Sequence, residues 1–176
     1  MALRYALVAL IAAAPAALLG CGWQPLYADQ ETGPASEELR AIKVNPIPER
    51  IGQRLEIALR NSFNPSGEPT PPRYVLSTSL ISVLSNLGIQ SQGLATLGQI
   101  DAVATITLVD VQKNATLLTN TIHVANSFDL NPNQYSTIVG ADDARNRCVA
   151  ELDQEIVTRL TMFMQRHIAE KAAKPG

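Results

Sequence analysis

The sequence predicts an α+β fold: a two-layer sandwich whose four-stranded, mainly antiparallel sheet carries two helices packed on one face. Three observations predict it. Residues 99–110 and 117–129 alternate side-chain character with a period of two. Residues 49–63 and 136–171 repeat apolar side chains at three- and four-residue steps. The resulting order, β-α-β-β-β-α, lets the helices segregate to one face of an antiparallel sheet.

The first segment stands apart from that domain. Arg4 follows Met1, residues 5–19 carry no charge, and the run closes on Leu18-Leu19-Gly20-Cys21. A positive start, an apolar core of about 15 residues and a small residue before the cut form a secretory signal. The run falls short of the ~20 residues a membrane span needs, and Pro15 disfavours a permanent helix. Its last four residues resemble a bacterial lipobox. We expect cleavage between Gly20 and Cys21, with Cys21 becoming a lipidated N-terminus that carries S-diacylglycerol and an N-acyl chain. A plain signal peptide or an uncleaved anchor is the competing reading.

Removing residues 1–20 leaves 156 residues, enough for one domain. Arg4 is the only charge removed, so the remainder holds 13 basic and 16 acidic residues. That balance argues against nucleic-acid binding, which needs a strongly basic face. With Cys21 lipidated, Cys148 has no disulfide partner within the chain and fits best as a small buried residue.

Residues 21–38 are expected to form the lipidated N-terminus and a flexible tether, since 28–38 are polar and broken by Gly33-Pro34. The domain should then run over 39–171, with 172–176 as a tail. A short strand is expected over 39–44 and stops at Asn45-Pro46-Ile47-Pro48. Ile51, Leu55, Ala58, Leu59 and Phe63 make one face of the first helix, and Asn64-Pro65 ends it. Gly52 costs about 1 kcal/mol in a helix interior and points to a start one turn later. Residues 64–72 hold four prolines and form a loop.

Strands are expected at 74–85, 99–110 and 117–129. Lys113-Asn114 sits in the short connection of a hairpin, while 86–98 is either a loop or a strand extension with a turn. The last helix should bury Ala144, Cys148, Leu152, Ile156, Leu160 and Phe163. At about 1.5 Å per residue it would reach ~50 Å, so either Gly140 divides it or one end projects.

The sheet region is unusual in its chemistry. Residues 74–129 contain four charges (Asp101, Asp110, Lys113 and Asp129) but 21 Ser, Thr, Asn and Gln. An ordinary domain is about 25% charged. A sheet face that is polar yet uncharged suits contact with another polar wall, because charge depletion marks the core of an interface. The alternative is a Thr-rich face tolerated because Thr favours strands.

Little points to catalysis, and no enzyme activity, metal or cofactor is expected. His123 and His167 have no metal-ligand spacing with each other or with Cys148. There is no nucleophile elbow and no phosphate-cradling glycine loop. Asp142-Asp143 are adjacent on a helix, where side chains diverge by about 100°, and fit a solvated helix start. Arg50, Arg54, Arg60, Arg73 and Lys113 are scattered cations, of which Lys113 is the strongest lipid-contact candidate because it tips an otherwise neutral hairpin.

Cys21-Gly22-Trp23-Gln24-Pro25-Leu26-Tyr27 resembles the mature start of the LPS-assembly lipoprotein LptE family. Asn133-Gln134-Tyr135-Ser136, Asp143-Ala144-Arg145, Ile156 and Arg159-Leu160 are similar to its C-terminal half, and the order of elements agrees across the mature chain. The resemblance implies an outer-membrane lipoprotein facing the periplasm, inserted in the lumen of the β-barrel protein LptD in an expected 1:1 complex. Such proteins plug the barrel, assist its assembly and help deliver lipopolysaccharide to the outer leaflet. Gly22, rather than Asp, after the cysteine resembles lipoproteins sorted to the outer membrane. Lys113 and Arg73 are the candidate lipopolysaccharide contacts. The rival expectation is a free-standing periplasmic lipoprotein that binds or shuttles lipid without a barrel.

Overall fold

The computed structural model describes residues 34–89, 95–130 and 132–173; the signal segment, the lipobox at Cys21 and the tether through Gly33 lie outside the described residues. Seven elements follow in order: α1 (Pro34–Arg40), β1 (Ile42–Val44), α2 (Arg50–Phe63), β2 (Tyr74–Ile89), β3 (Ala95–Asp110), β4 (Ala115–Asp129) and α3 (Gln134–Ala173). The sheet order is β1-β2-β3-β4, with β1 parallel to β2 and the remaining pairs antiparallel. The α+β sandwich with helices packed on the sheet is therefore as expected.

The start of the domain differs from expectation. Helix α1 occupies residues assigned to the end of the tether and the first residues of a strand. Pro34 suits a first helical position, and Ala35 and Leu39, four residues apart, are both buried. A polar stretch thus hides a short helix because two apolar residues suffice to dock it. Strand β1 is left with three residues, ended by Pro46 and Pro48; Asn45 extends the register, its N–H donating to the Leu76 carbonyl at 2.9 Å and its Nδ2 to Ser77 Oγ at 3.0 Å.

Helix α2 begins at Arg50, so Gly52 is helical after all. A Cβ there would lie 2.7 Å from Ile47 Cγ2. The helix accepts glycine's cost because Ile47 packs on the bare backbone. Ile51, Leu55, Leu59 and Phe63 face the core.

Strands β2 and β3 are longer than expected: within 86–98, β2 continues to Ile89 and β3 starts at Ala95, while residues 90–94 lie outside the described residues. Near the start of β3, Gly98 pairs with Phe128, whose ring would collide with a Cβ on Gly98 at 2.4 Å. The aromatic ring lies across the glycine and fills the space a side chain would take.

Helix α3 is unbroken from Gln134 to Ala173. Gly140 does not divide it but faces Phe128, with a Cβ position 3.5 Å from the ring. The buried stripe follows the expected residues through Leu160 and then turns to Met164 rather than Phe163. Phe163 instead stacks on His167, with centroids 5.6 Å apart. The helix's first turns project, leaving Tyr135 75% exposed. The described residues contain no helix long and apolar enough to cross a membrane.

Two rows of polar clips flank the α3 stripe. Toward α2, Arg54 pairs with both Asp142 oxygens at 3.1 and 3.3 Å and with Asn146 at 2.7 Å, and Ser62 donates to Asp153 at 3.0 Å. Toward β4, Arg147 donates to Asn126 Oδ1 and the Ser127 carbonyl, and Arg159 to Asn120 Oδ1 and the Thr121 carbonyl. Asp142 is therefore half of an inter-helix ion pair, not a merely solvated helix start.

Gly98→Ala is expected to destabilise the domain by about 1–3 kcal/mol through overpacking against Phe128. Urea unfolding of Gly98→Ala, Phe128→Ala and the double variant checks this: the glycine cost should shrink once the ring is gone, and strictly additive costs would contradict it.

Candidate functional site: the uncovered sheet face

Even-numbered residues of β3, from Ile100 to Leu108, point into the core, so the odd-numbered residues line the face without helices. Register lays these out in rows across β2, β3 and β4. Ser77–Thr107–Thr119 and Ser79–Thr105–Thr121 form a grid of six hydroxyl side chains, with Thr105 Oγ1 and Thr121 Oγ1 3.2 Å apart. The next rows are Ile81–Val103–His123 and Val83–Asp101–Ala125, followed by Ser85–Gln99–Ser127 and Leu87–Leu97–Asp129.

The face is charge-poor, as expected, but its make-up is corrected in two ways. It is not simply Thr, Ser and Asn: Ile81 and Val83 stand 62% and 55% exposed in the middle of it. The β4 asparagines Asn120 and Asn126 belong to the other face, where they hold Arg159 and Arg147. The strand period of two sorts side chains by position and not by polarity, so an even-numbered Asn goes toward the helices.

Two carboxylates lie on this face, Asp101 within the strip and Asp129 exposed at its far end. Asp101 accepts from Ser85 Oγ at 2.9 Å and from Gln99 Nε2 at 2.6 Å, so its charge is met by neighbours on the same face. Lys43, at the β1 border, pairs with Glu68 at 3.8 Å. Beyond Leu76, the β1-side edge of β2 has no described strand beside it, and β4 is the other edge. The arrangement is a broad, twisted surface of hydroxyls and aliphatic side chains with little charge. Its chemistry suits non-covalent contact with a neutral polar wall.

The candidate lipid contacts meet different fates. Lys113 is exposed at the β3–β4 turn, where the Asp110 carboxylate accepts from the backbone N–H of Gln112 and Lys113 at 2.9 and 3.1 Å. Asn114, at φ 47°, takes the left-handed position such a turn needs. Arg73 lies at the same end, its carbonyl accepting from the Val111 N–H. Its guanidinium, however, pairs with Glu38 of α1 at 2.5 Å and stacks 5.1 Å over the Tyr74 ring. Arg73 therefore fastens α1 to the sheet. The polar residues of α1 carried the signal for that pairing, but a tether reading hid it.

The remaining reactive groups are kept apart. Cys148 is fully buried, its Sγ 3.6 Å from the Ile100 carbonyl and 3.5 Å from Asn126 Nδ2. Burial raises its thiol pKa, which keeps it protonated. His123 is on the opposite face of the sheet, and His167 lies against Phe163. The described residues contain no group of three or more side chains able to hold a metal.

No protein-family model matches the sequence, and no curated protein matches it. Solved structures do. A candidate lipoprotein from Caulobacter crescentus CB15 superposes with a TM-score of 0.60 at 17% identity, covering 74% of this chain and 96% of that one. A minor lipoprotein from Acinetobacter baumannii gives 0.48 at 15% identity, covering 69% and 90%. An uncharacterised lipoprotein B from Nitrosomonas europaea gives 0.49 at 13%, covering 72% and 87%. The first of these shows a shared fold.

Tyr74 supplies a pH signature for the α1 attachment. Its side chain is fully buried, and burial together with the adjacent Glu38 carboxylate pushes its phenol up to about 12. A phenol near its ordinary value of about 10 in the unfolded chain ionises first there. Its contribution is therefore intact below about pH 10 and is lost as pH rises toward 12. Urea unfolding between pH 8 and pH 11.5 should show a smaller alkaline loss for Tyr74→Phe than for the parent; equal losses would contradict this placement of Tyr74.

Proposed function

We propose that this chain is an outer-membrane lipoprotein, anchored through Cys21 and facing the periplasm, that plugs and helps assemble an LptD-type β-barrel in the lipopolysaccharide translocon. The observation that carries the reading is the uncovered sheet face with its grid of six Ser and Thr side chains, where Asp101 is paired internally and Asp129 stands only at the far end. A solvated face gains solubility from Lys and Glu; a wide barrel's lumen is polar, and a neutral hydroxyl surface meets it without burying unpaired charge. The lipobox, the Cys21–Tyr27 motif and the fold shared with a candidate lipoprotein from Caulobacter support the same reading.

A lipid-shuttling protein would need an apolar cavity between sheet and helices. Here Leu55, Leu59, Ile106, Leu108, Leu152 and Ile156 fill that space at essentially zero exposure, which favours the plug. Lipopolysaccharide contact is proposed at Lys113, the exposed cation of the β3–β4 turn. The role proposed is one of binding and assembly, without catalysis.

Extraction of the full-length chain from native outer membrane in mild detergent should recover one large barrel protein in equimolar amount. Thr105→Lys combined with Thr121→Lys should lower that recovery roughly tenfold or more, because two charges would be pressed against a neutral wall. Thr121 is exposed and Thr105 half-buried on the face without helices, so each single change should cost no more than about 1 kcal/mol, with a further small cost from placing the two charges opposite each other. No barrel in the extract, or undiminished recovery with the charged pair, contradicts the proposal.

A further inference from the structure

The helix side of the sheet holds a second feature, a cleft of about 300 Å³ where the start of α2, the third and fourth turns of α3 and the free edge of β2 meet. Arg50 and Arg54 enter it from α2, Arg145 and Asp142 from α3, and Ser82 from β2. Arg54 is committed to Asp142 and Asn146. Arg50 and Arg145 make no hydrogen bond or ion pair among the described residues, so at one opening three arginines face two carboxylates, Glu49 and Asp142, and two of the guanidinium groups keep their donors free. Glu49, on the rim, supplies no side-chain cap to α2. The first-turn N–H groups of that helix thus add to the positive field.

The convergence of the three cations also acts on Asp142. Its carboxyl is held below the ordinary carboxylate range, chiefly by its hydrogen bond to Arg54, which outweighs the opposing desolvation, with the charges of Arg54, Arg50 and Arg145 adding to the lowering.

The walls continue as apolar surface. Leu84 lies two residues beyond Ser82 on the same face of β2, and Ile138 one turn before Asp142 on α3; both are exposed. Cations beside exposed aliphatic side chains match a ligand whose charged end is a phosphate.

We propose that this cleft binds a phosphate-bearing anion, with Arg50 and Arg145 as its two direct ligands and Arg54 holding the two helices at the spacing the site needs. Arginine is suited to the task because its planar fork meets phosphate oxygens in pairs. The site lies on the helix side of the sheet and does not depend on the barrel partner, so it stands or falls separately from the plug reading.

Full-length protein in neutral-detergent micelles tests it. Binding is measured by calorimetry with inorganic phosphate in solution and, separately, with phosphatidic acid or phosphatidylcholine doped into the micelles. Phosphatidic acid bound in preference to phosphatidylcholine would support the site with a lipid headgroup as its source; phosphate bound without such preference would support it with free phosphate. In either case Arg50→Gln with Arg145→Gln should weaken binding roughly tenfold or more. Arg166→Gln, near the other end of α3, should change it less than about twofold. Circular-dichroism melting confirms that each variant is folded. Absence of binding by both phosphate probes, or equal weakening by the Arg166 variant, overturns the proposal.

Discussion

Helix α3 and strand β3 bring two apolar rows into one core: Ala144, Cys148, Leu152, Ile156 and Leu160 on the helix, Ile100, Ala102, Ala104, Ile106 and Leu108 on the strand. Each fully buried Leu or Ile is worth about 1.5–3 kcal/mol relative to exposure, so this layer dominates the domain's stability. Small residues, Ala144 and Cys148 on the helix and Ala102 and Ala104 on the strand, let the backbones approach, and Cys148 comes within hydrogen-bonding range of the Ile100 carbonyl. Because the period of a strand is two, committing the even residues of β3 to this layer commits the odd residues to the opposite face. The charge-poor surface follows directly from that one-sided burial.

The polar clips then set where the helices lie on the sheet. Arg147 and Arg159 tie α3 to β4, while Arg54–Asp142 and Ser62–Asp153 tie it to α2. Partly exposed pairs of this kind add modest stability; their effect is to hold the helices in place over the core. The arginine cleft is a by-product of the same geometry, since the Arg54–Asp142 pair draws the start of α2 and the early turns of α3 together. The two faces of the sheet thereby carry different chemistry, neutral on one side and locally cationic on the other.

Much of this was legible in the residues because it rests on periodicity. The β3 alternation, the α3 stripe as far as Leu160 and the helix limit at Asn64-Pro65 all follow from spacing alone. What escaped were features decided by tertiary neighbours. Pro34–Arg40 reads as a polar tether until Ala35 and Leu39 find the core and Glu38 finds Arg73. Gly52 and Gly98 look like helix and strand weaknesses until Ile47 and Phe128 occupy the space beside them. The uncovered face was foreseen as neutral, yet the share of exposed Ile81 and Val83 within it depended on register, which composition does not contain. Arg54 and Asp142 are 88 residues apart, and no local pattern links them.

The central claim is that the neutral sheet face lies against a barrel wall. Site-specific photo-crosslinking from position 105, carried out in intact cells, tests it most directly, because Thr105 sits at the centre of the hydroxyl grid. One dominant adduct with a large outer-membrane barrel protein is expected. Adducts only with lipid or with a second copy of this chain, or no adduct at all, would contradict it.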